Sequence, residues 1–265
     1  MSEYRTLVER MEGQGMAFEV YEFTRKAYGT SINGGQIPPA TAGAAPMAIN
    51  LHVPAQKAWR QVRMELNGGS GLLEPGALQY AQGNLQVEVQ KLNAKSNIFT
   101  RALASAGTGE SGFATSYRGH GDVWTEPTFK HFIVANMDGP QDALLLDDQA
   151  FYACEGSISL KTHMHNTVQG VLSGAGLMQP KLEGRGVFIV ESPVPVNEIE
   201  EIDLDGSGEL IVDGDLMLMY SANLQVELTP LVRGLRNLQR SGEGLVYKFR
   251  GKGKVWITPT VTIGV

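Results

Sequence analysis

Apolar residues in this chain recur mainly at every second position, in short runs cut by glycine, proline and acidic residues. That period sends successive side chains to opposite faces of a strand, so the pattern predicts a protein made of β-strands. Phe18-Glu19-Val20-Tyr21-Glu22-Phe23 predicts an edge strand, and Ile49, Leu51 and Val53 predict another that Pro54 interrupts. Tyr4 to Met11 departs from the rule: Leu7, Val8 and Met11 share one helical face, which predicts a turn or two of amphipathic helix. From Gly29 to Pro46, small and polar residues with the adjacent Pro38 and Pro39 supply nothing for a core and predict an extended arm or loop.

Beyond residue 60 one order of landmarks occurs three times, which divides the chain into 1–60 outside the repeat and units at 61–130, 131–196 and 197–265. Each unit opens on a type I′ turn signal, at Leu66-Asn67-Gly68, Met137-Asp138-Gly139 and Leu204-Asp205-Gly206. Aliphatic runs follow (Leu72-Leu73, Leu144-Leu145-Leu146, Leu210-Ile211-Val212), then acidic turns at Glu74-Pro75-Gly76, Asp147-Asp148 and Asp213-Gly214-Asp215. A strand carrying Tyr80, Tyr152 or Tyr220 comes next and leads into alternating segments. Polar connections over 97–106, 166–173 and 231–240 predict short helices, capped by the glycine-rich stretches 108–112, 173–176 and 241–244. Each unit closes on a Gly-x-Gly turn and an apolar strand: Gly119 to Pro127, Gly184 to Pro193, Gly251 to Pro259.

Asn84-Leu85-Gln86-Val87-Glu88 recurs letter for letter as Asn223-Leu224-Gln225-Val226-Glu227, and matching landmarks lie about 65–72 residues apart. A unit of this size built of short strands leaves apolar faces and strand edges open. Three copies around a pseudo-threefold axis would cover one another's.

These landmarks resemble one family, named for altered inheritance of mitochondria, protein twenty-four, with units like those of the tryptophan RNA-binding attenuator protein. The likeness rests on Glu74-Pro75-Gly76-Ala77 with Asn84 to Glu88, on Gly206 to Asp213, and on Ser241-Gly242-Glu243-Gly244-Leu245 with Gly253-Lys254-Val255-Trp256. It covers roughly residues 62–260. The resemblance implies an all-β fold of three attenuator-like double-stranded β-helix or β-sandwich units in pseudo-threefold arrangement, with short helical connections, in a compact and often trimeric assembly. Bacterial members look like proteins of undefined biochemical role, and mitochondrial relatives are linked to inner-membrane organisation. The family supplies no catalytic residues to carry over.

Composition narrows the function classes. No apolar run approaches the ~20 residues of a membrane-spanning helix, and the N-terminus lacks the apolar stretch of a secretory signal. A single cysteine, Cys154, excludes an internal disulfide and fits a reducing compartment, so the cytoplasm is expected. A net charge of −6 argues against a whole-molecule basic surface for nucleic acid.

Candidate chemistry is sparse. His163-x-His165 places two imidazoles on one strand face, but the carboxylate position of a cupin-like site holds Gln169 and no histidine follows, so two solvent-facing histidines are expected and no metal. Asp203-x-Asp205-Gly206-x-Gly208-Glu209 resembles a calcium loop superficially; an EF-hand needs glutamate at its twelfth position, where Gly214 stands, so a hairpin turn is expected. The glycine-rich turns lack the Gly-Lys-Ser/Thr of a P-loop, and no Gly-x-Ser-x-Gly elbow occurs. Cys154, in an apolar strand, reads as structural.

Basic residues do gather late in the chain: Arg233, Arg236, Arg240, Lys248, Arg250, Lys252 and Lys254, with Tyr247, Phe249 and Trp256 among them. They outline a candidate patch for an anionic partner. The expectation is a non-enzymatic structural or interaction protein without a cofactor. It would assemble as a homo-oligomer, a trimer first, with a protein or membrane-surface partner left open. An RNA- or small-ligand-binding regulator is the alternative, and a cupin-like metalloenzyme a weaker one.

Overall fold

The computed structural model describes residues 5–23, 33–37, 47–50, 58–91, 113–139, 142–165, 177–230 and 245–260. Apart from two three-residue 3-10 turns, Val196–Glu198 and Gly214–Leu216, the regular structure described is strand. The strands are β1 (Thr6–Gly13), β2 (Met16–Phe23), β3 (Asn33–Ile37), β4 (Met47–Asn50), β5 (Trp59–Leu73), β6 (Leu78–Lys91), β7 (Phe113–Thr125), β8 (His131–Met137) and β9 (Ala143–Leu146). They continue as β10 (Phe151–Glu155), β11 (Ser159–His165), β12 (Leu177–Glu183), β13 (Gly186–Ser192), β14 (Glu200–Asp213), β15 (Met217–Ser221), β16 (Gln225–Pro230) and β17 (Leu245–Ile257).

One sheet runs β1-β2-β5-β10-β13-β8, with β7 on β5 and β6 on β7. Contacts of β1 with β8 and β13 bring its two ends together, so the sheet curls into a nearly closed barrel. A second sheet runs β11-β12-β9-β15-β17-β14, with β16 on β17, and β3 and β4 form a separate ribbon.

Three stretches pair alike. In each, the first and the middle strand both lie antiparallel to the last: β5 and β6 on β7; β8 and β9, then β10 and β11, on β13 and β12; β14, then β15 and β16, on β17. The middle strand slips register at one equivalent place, between Leu78 and Tyr80, Phe151 and Ala153, and Met217 and Met219. The identical pentapeptides sit in the same register, Gln86 opposite Arg118 and Gln225 opposite Arg250.

Two junctions join the stretches. At the first, β10 pairs β5 through Ala153–Leu73, Cys154–Leu72 and Glu155–Gly71. At the second, β15 pairs β9 through Met219–Leu146, Tyr220–Leu145 and Ser221–Leu144. Matching amide bonds flank both: Glu74 N to Tyr152 O (2.8 Å) and Gly156 N to Ser70 O (2.7 Å), then Asp147 N to Leu218 O (2.8 Å) and Ala222 N to Ala143 O (2.9 Å). The acidic turns are therefore the ends of these ladders.

Several expectations change. Thr6–Gly13 is a strand, because its backbone pairs along the whole of β2; tertiary pairing outweighs a short helical pattern. Nor is β2 an edge, since β5 takes its other side. Asn67-Gly68 and Asp205-Gly206 do not reverse the chain: β5 and β14 run straight through them as bulges. The partner strands β7 and β17 are continuous on both sides, so extra residues bulge out rather than turn, and Gly68 at φ +92° supplies the backbone. Asp138-Gly139 separates β8 from β9, which pair with β13 and β12 and not with each other. The Gly-x-Gly sites lie inside β7 and β17 and only at Gly184-Arg185 form a bend. At Gly121, φ +152°, an added Cβ would collide with the Gln82 carbonyl, so glycine lets the crossing strands approach. The expected helices at 97–106, 166–173 and 231–240, and the glycine-rich stretches 108–112, 173–176 and 241–244, lie outside the described residues.

Alternation along the strands sorts the cores. β13 sends Val187 and Ile189 into the barrel beside Phe18, Val62 and Met64, and Phe188 and Val190 into a core shared with Leu146, Leu160, Leu182 and Leu218 of the second sheet. The third stretch has its own cluster around Tyr220, Leu228, Phe249 and Val255. Among the described residues no helix is long and apolar enough to cross a membrane.

Candidate functional site

Four polar groupings stand out, and each is positioned by the ladders above. The first lies beside the second junction. Alternation in β11 puts His163 and His165 on one face, rings 4.6 Å apart and edge-on. His165 is not solvent-facing as expected but 8% exposed, because β12 and the third stretch cover it. Its Nε2 lies 2.8 Å from Gln179 Oε1 and 2.9 Å from the Tyr220 hydroxyl. Tyr220 also donates to Gln179 Oε1 (2.7 Å), and Gln179 Nε2 donates to the Tyr247 hydroxyl (3.1 Å). The set is satisfied when Nε2 carries the imidazole proton, since Gln179 Oε1 then accepts from both neighbours.

Burial, reinforced by His163, pushes the His165 pKa down to about 4 against the Gln179 bond, so the ring is neutral near pH 7. Burial also pushes the Tyr220 and Tyr247 phenols up. Among the described residues no group of three His, Cys, Asp or Glu side chains could hold a metal, and Gln169 lies outside them. What the cluster does is lock β11, β12, β15 and β17 together through fully bonded polar groups. Sequence reading missed Gln179 and put Tyr247 with the basic residues instead, because their partners are 14 to 68 residues away.

The second grouping is a cleft of about 480 Å³ where the second and third acidic turns meet, lined among others by Arg60, Lys130, His131, Asp147, Asp148, Glu191 and Asp215. Burial, with the Asp148 charge, pushes the Asp147 pKa up to about 6; the Asp148 and Gln149 amides oppose this and Asp215 adds to it. Burial and the Arg60 charge lower His131, against Glu22. Lys130 pairs with Glu191 at 2.5 Å and Arg60 with Glu22 at 3.1 Å. Nearby, burial and Glu191 push the Glu74 carboxyl up to about 8, against Lys130. Such a cleft suits a small polar or cationic group. The adjacent Asp147-Asp148 was the available signal, and the sequence supports only a turn there.

The third is the basic strand. Lys248, Arg250, Lys252 and Lys254 alternate along β17, while Tyr247 and Phe249, expected to join them, are buried. Carboxylates of β14 face the row: Arg250 pairs with Glu209, and Lys254 with Glu201 and, at 3.4 Å, Asp203. Asp205 stands opposite Lys252, and Trp256 donates to Glu201 at 2.8 Å. The row is a charge-matched ladder face, which weakens its field on an anion. Arg233, Arg236 and Arg240 lie outside the described residues.

A fourth cluster anchors the N-terminal hairpin. Glu19, 4% exposed, accepts from Arg63 (2.7 Å), Tyr21 (2.8 Å) and Arg10, and Arg63 also holds Asp122 at 2.7 Å. Burial alone would raise the Glu19 pKa; its three donors outweigh that and lower it. Arg5 and Arg63 lie over the Trp124 ring, 4.5 and 5.8 Å from its centroid. Cys154 is fully buried, and burial raises its thiol pKa, as a structural thiol requires.

Comparison with known proteins fits this picture of architecture. The family model for mitochondrial biogenesis AIM24 matches residues 54–260. An uncharacterised protein of Streptococcus pyogenes serotype M6 is 29% identical over 198 residues, 72% of this chain and 77% of that protein. The X-ray structure of another Streptococcus pyogenes protein superimposes with a TM-score of 0.56 at 27% identity, over 79% of this chain and 91% of that one. The chain belongs to the AIM24 family.

Proposed function

We propose that this member of the AIM24 family is a non-enzymatic scaffold that works by assembling with itself. In this reading the three stretches are copies of one attenuator-like unit in pseudo-threefold order, and the chain forms a homo-oligomer, a trimer first, in the cytoplasm. The observation that carries it is β6. Leu78, Tyr80, Val87 and Val89 on this strand are 41%, 40%, 56% and 63% exposed, and its described residues from Leu78 to Val89 are open to solvent except Leu85. A long strand that exposes several large apolar residues, with no described strand on its free edge, is a surface for another chain. Sedimentation or light scattering across a concentration series tests the reading: a mass near three chains is expected, and a monomer at all concentrations overturns it.

A second reading, a small-ligand regulator, draws on the cleft at Asp147 and Asp148. Calorimetric titration with a polyamine tests it; saturable binding lost in Asp148→Asn is the expected result.

A further inference from the structure

The two formed junctions specify a third that the chain leaves unmade. Register makes Leu73, Leu146 and Val212 equivalent, each four residues back from the first glycine of its Gly-x-Gly in partner terms: they face Thr115, the β12 position before Lys181, and Tyr247. By the same count Ala153, Met219 and Tyr80 are equivalent, facing Ile189, Trp256 and Trp124. Leu73 pairs with Ala153 and Leu146 with Met219. Val212 should therefore pair with Tyr80, Ile211 with Ala81, and Leu210 with Gln82. Flanking bonds would run from Asp213 N to Gln79 O and from Gly83 N to Glu209 O, as at the other two junctions.

Among the described residues this pairing is absent: β14 pairs only with β17, and β6 only with β7. Val212 is buried under its own sheet and Leu210 half-buried, but Ile211 and Tyr80 are exposed where their counterparts are buried. Leu72 and Leu145 are 4% and 3% exposed and Ile211 46%; Ala153 and Met219 are 0% and 5% exposed and Tyr80 40%. The two segments themselves, Leu210-Ile211-Val212 and Leu78-Gln79-Tyr80-Ala81-Gln82, carry none of the charges or prolines that usually blunt an edge strand, although Glu209 and Asp213 flank the first.

We infer that Leu210–Val212 of one copy pairs antiparallel with Tyr80–Gln82 of a second copy of this chain, repeating between molecules the junction made twice within each. This rests on the self-assembly proposed above and names its surface, but not on the pseudo-threefold order, which would close the same junction within one chain. The edge of β14 has one complement by register, the start of β6, and within the chain the two belong to different sheets. The contact is head-to-tail, so copies close into a ring when the rotation per copy divides a full turn.

The test uses the full chain in two forms, Gln82→Cys and Leu210→Cys; opposed positions on antiparallel strands lie within disulfide reach. Mixing the two under oxidation should give a disulfide-linked dimer on a non-reducing gel, while either alone gives none. A third form, Ile211→Lys, should lower the assembled mass to that of a monomer with unchanged far-UV circular dichroism. Dimers from either cysteine form alone overturn the inference, as does an intramolecular crosslink in the doubly substituted chain at nanomolar concentration. An oligomer that persists in Ile211→Lys and never crosslinks removes this surface but leaves self-assembly standing. A wild-type monomer removes both.

Discussion

The second junction and the open edge of β14 use equivalent positions on equivalent strands, yet one is dry and the other wet. Leu145 lies between Lys181 and Tyr220 and is buried; Ile211, its counterpart, has Lys248 on one side, no described strand on the other, and is exposed. Both are aliphatic, flanked by aliphatics and followed by an acidic turn. Burial at this outward-facing position is thus decided by whether a strand lies opposite, whereas Val212 beside it is buried on the other face by the core of its own stretch.

The sharpest test of the contrast is truncation of the two aliphatic residues. Leu145→Ala should cost roughly 2–5 kcal/mol, and Ile211→Ala under about 1 kcal/mol in dilute protein; urea titration at low concentration measures both. Equal costs would mean that the β14 edge is covered. Next in size is acid. His165 has a folded pKa of about 4, below its value of 6.5 in the unfolded chain, so the unfolded state takes up a proton first and stability falls as pH drops through that window. The loss is at most about 3 kcal/mol at ~1.4 kcal/mol per unit, and thermal melts from pH 7 to 4 should flatten in His165→Gln relative to wild type.

Tyr220→Phe removes the hydroxyl that bonds His165 and Gln179 and leaves a buried amide short of a donor. The expected loss is about 1–3 kcal/mol, again by urea titration, whereas Ala81→Ser at the equivalent open position should change little. The smallest effect has the opposite pH sign. Glu74, at the turn that ends the first junction, holds its proton up to about pH 8 when folded and to 4.5 when unfolded, so its contribution is lost as pH rises through that interval. Glu74→Gln should raise stability at pH 8 by about 1–2 kcal/mol, discounted for partial exposure, and leave it unchanged at pH 4.

Much of the ladder was legible because it is local and repeated. Alternation gives the strands, the acidic turns fall where expected, and the shared pentapeptide sits in one register at both sites. The bulges were not legible. Asn67-Gly68 has the residues of a hairpin, and only the continuous partner β7 makes it a bulge. Nor could the N-terminal hairpin be placed, since the bonds of Glu19 to Arg63 join residues 44 apart with no repeat to guide the pairing. The basic residues of β17 were legible as a row, and their neutralisation by β14 was not, because opposition across strands depends on register.

What the sequence by itself determined is the strand content, the recurrence of one landmark order and the chemistry carried by each face, since all three follow from residue types at fixed short spacings. Which glycine turns and which bulges, which histidine is buried, and which two of three equivalent edges are joined depend on what lies across a ladder. That partner is set by register between segments far apart in the chain, so only the tertiary structure decides it.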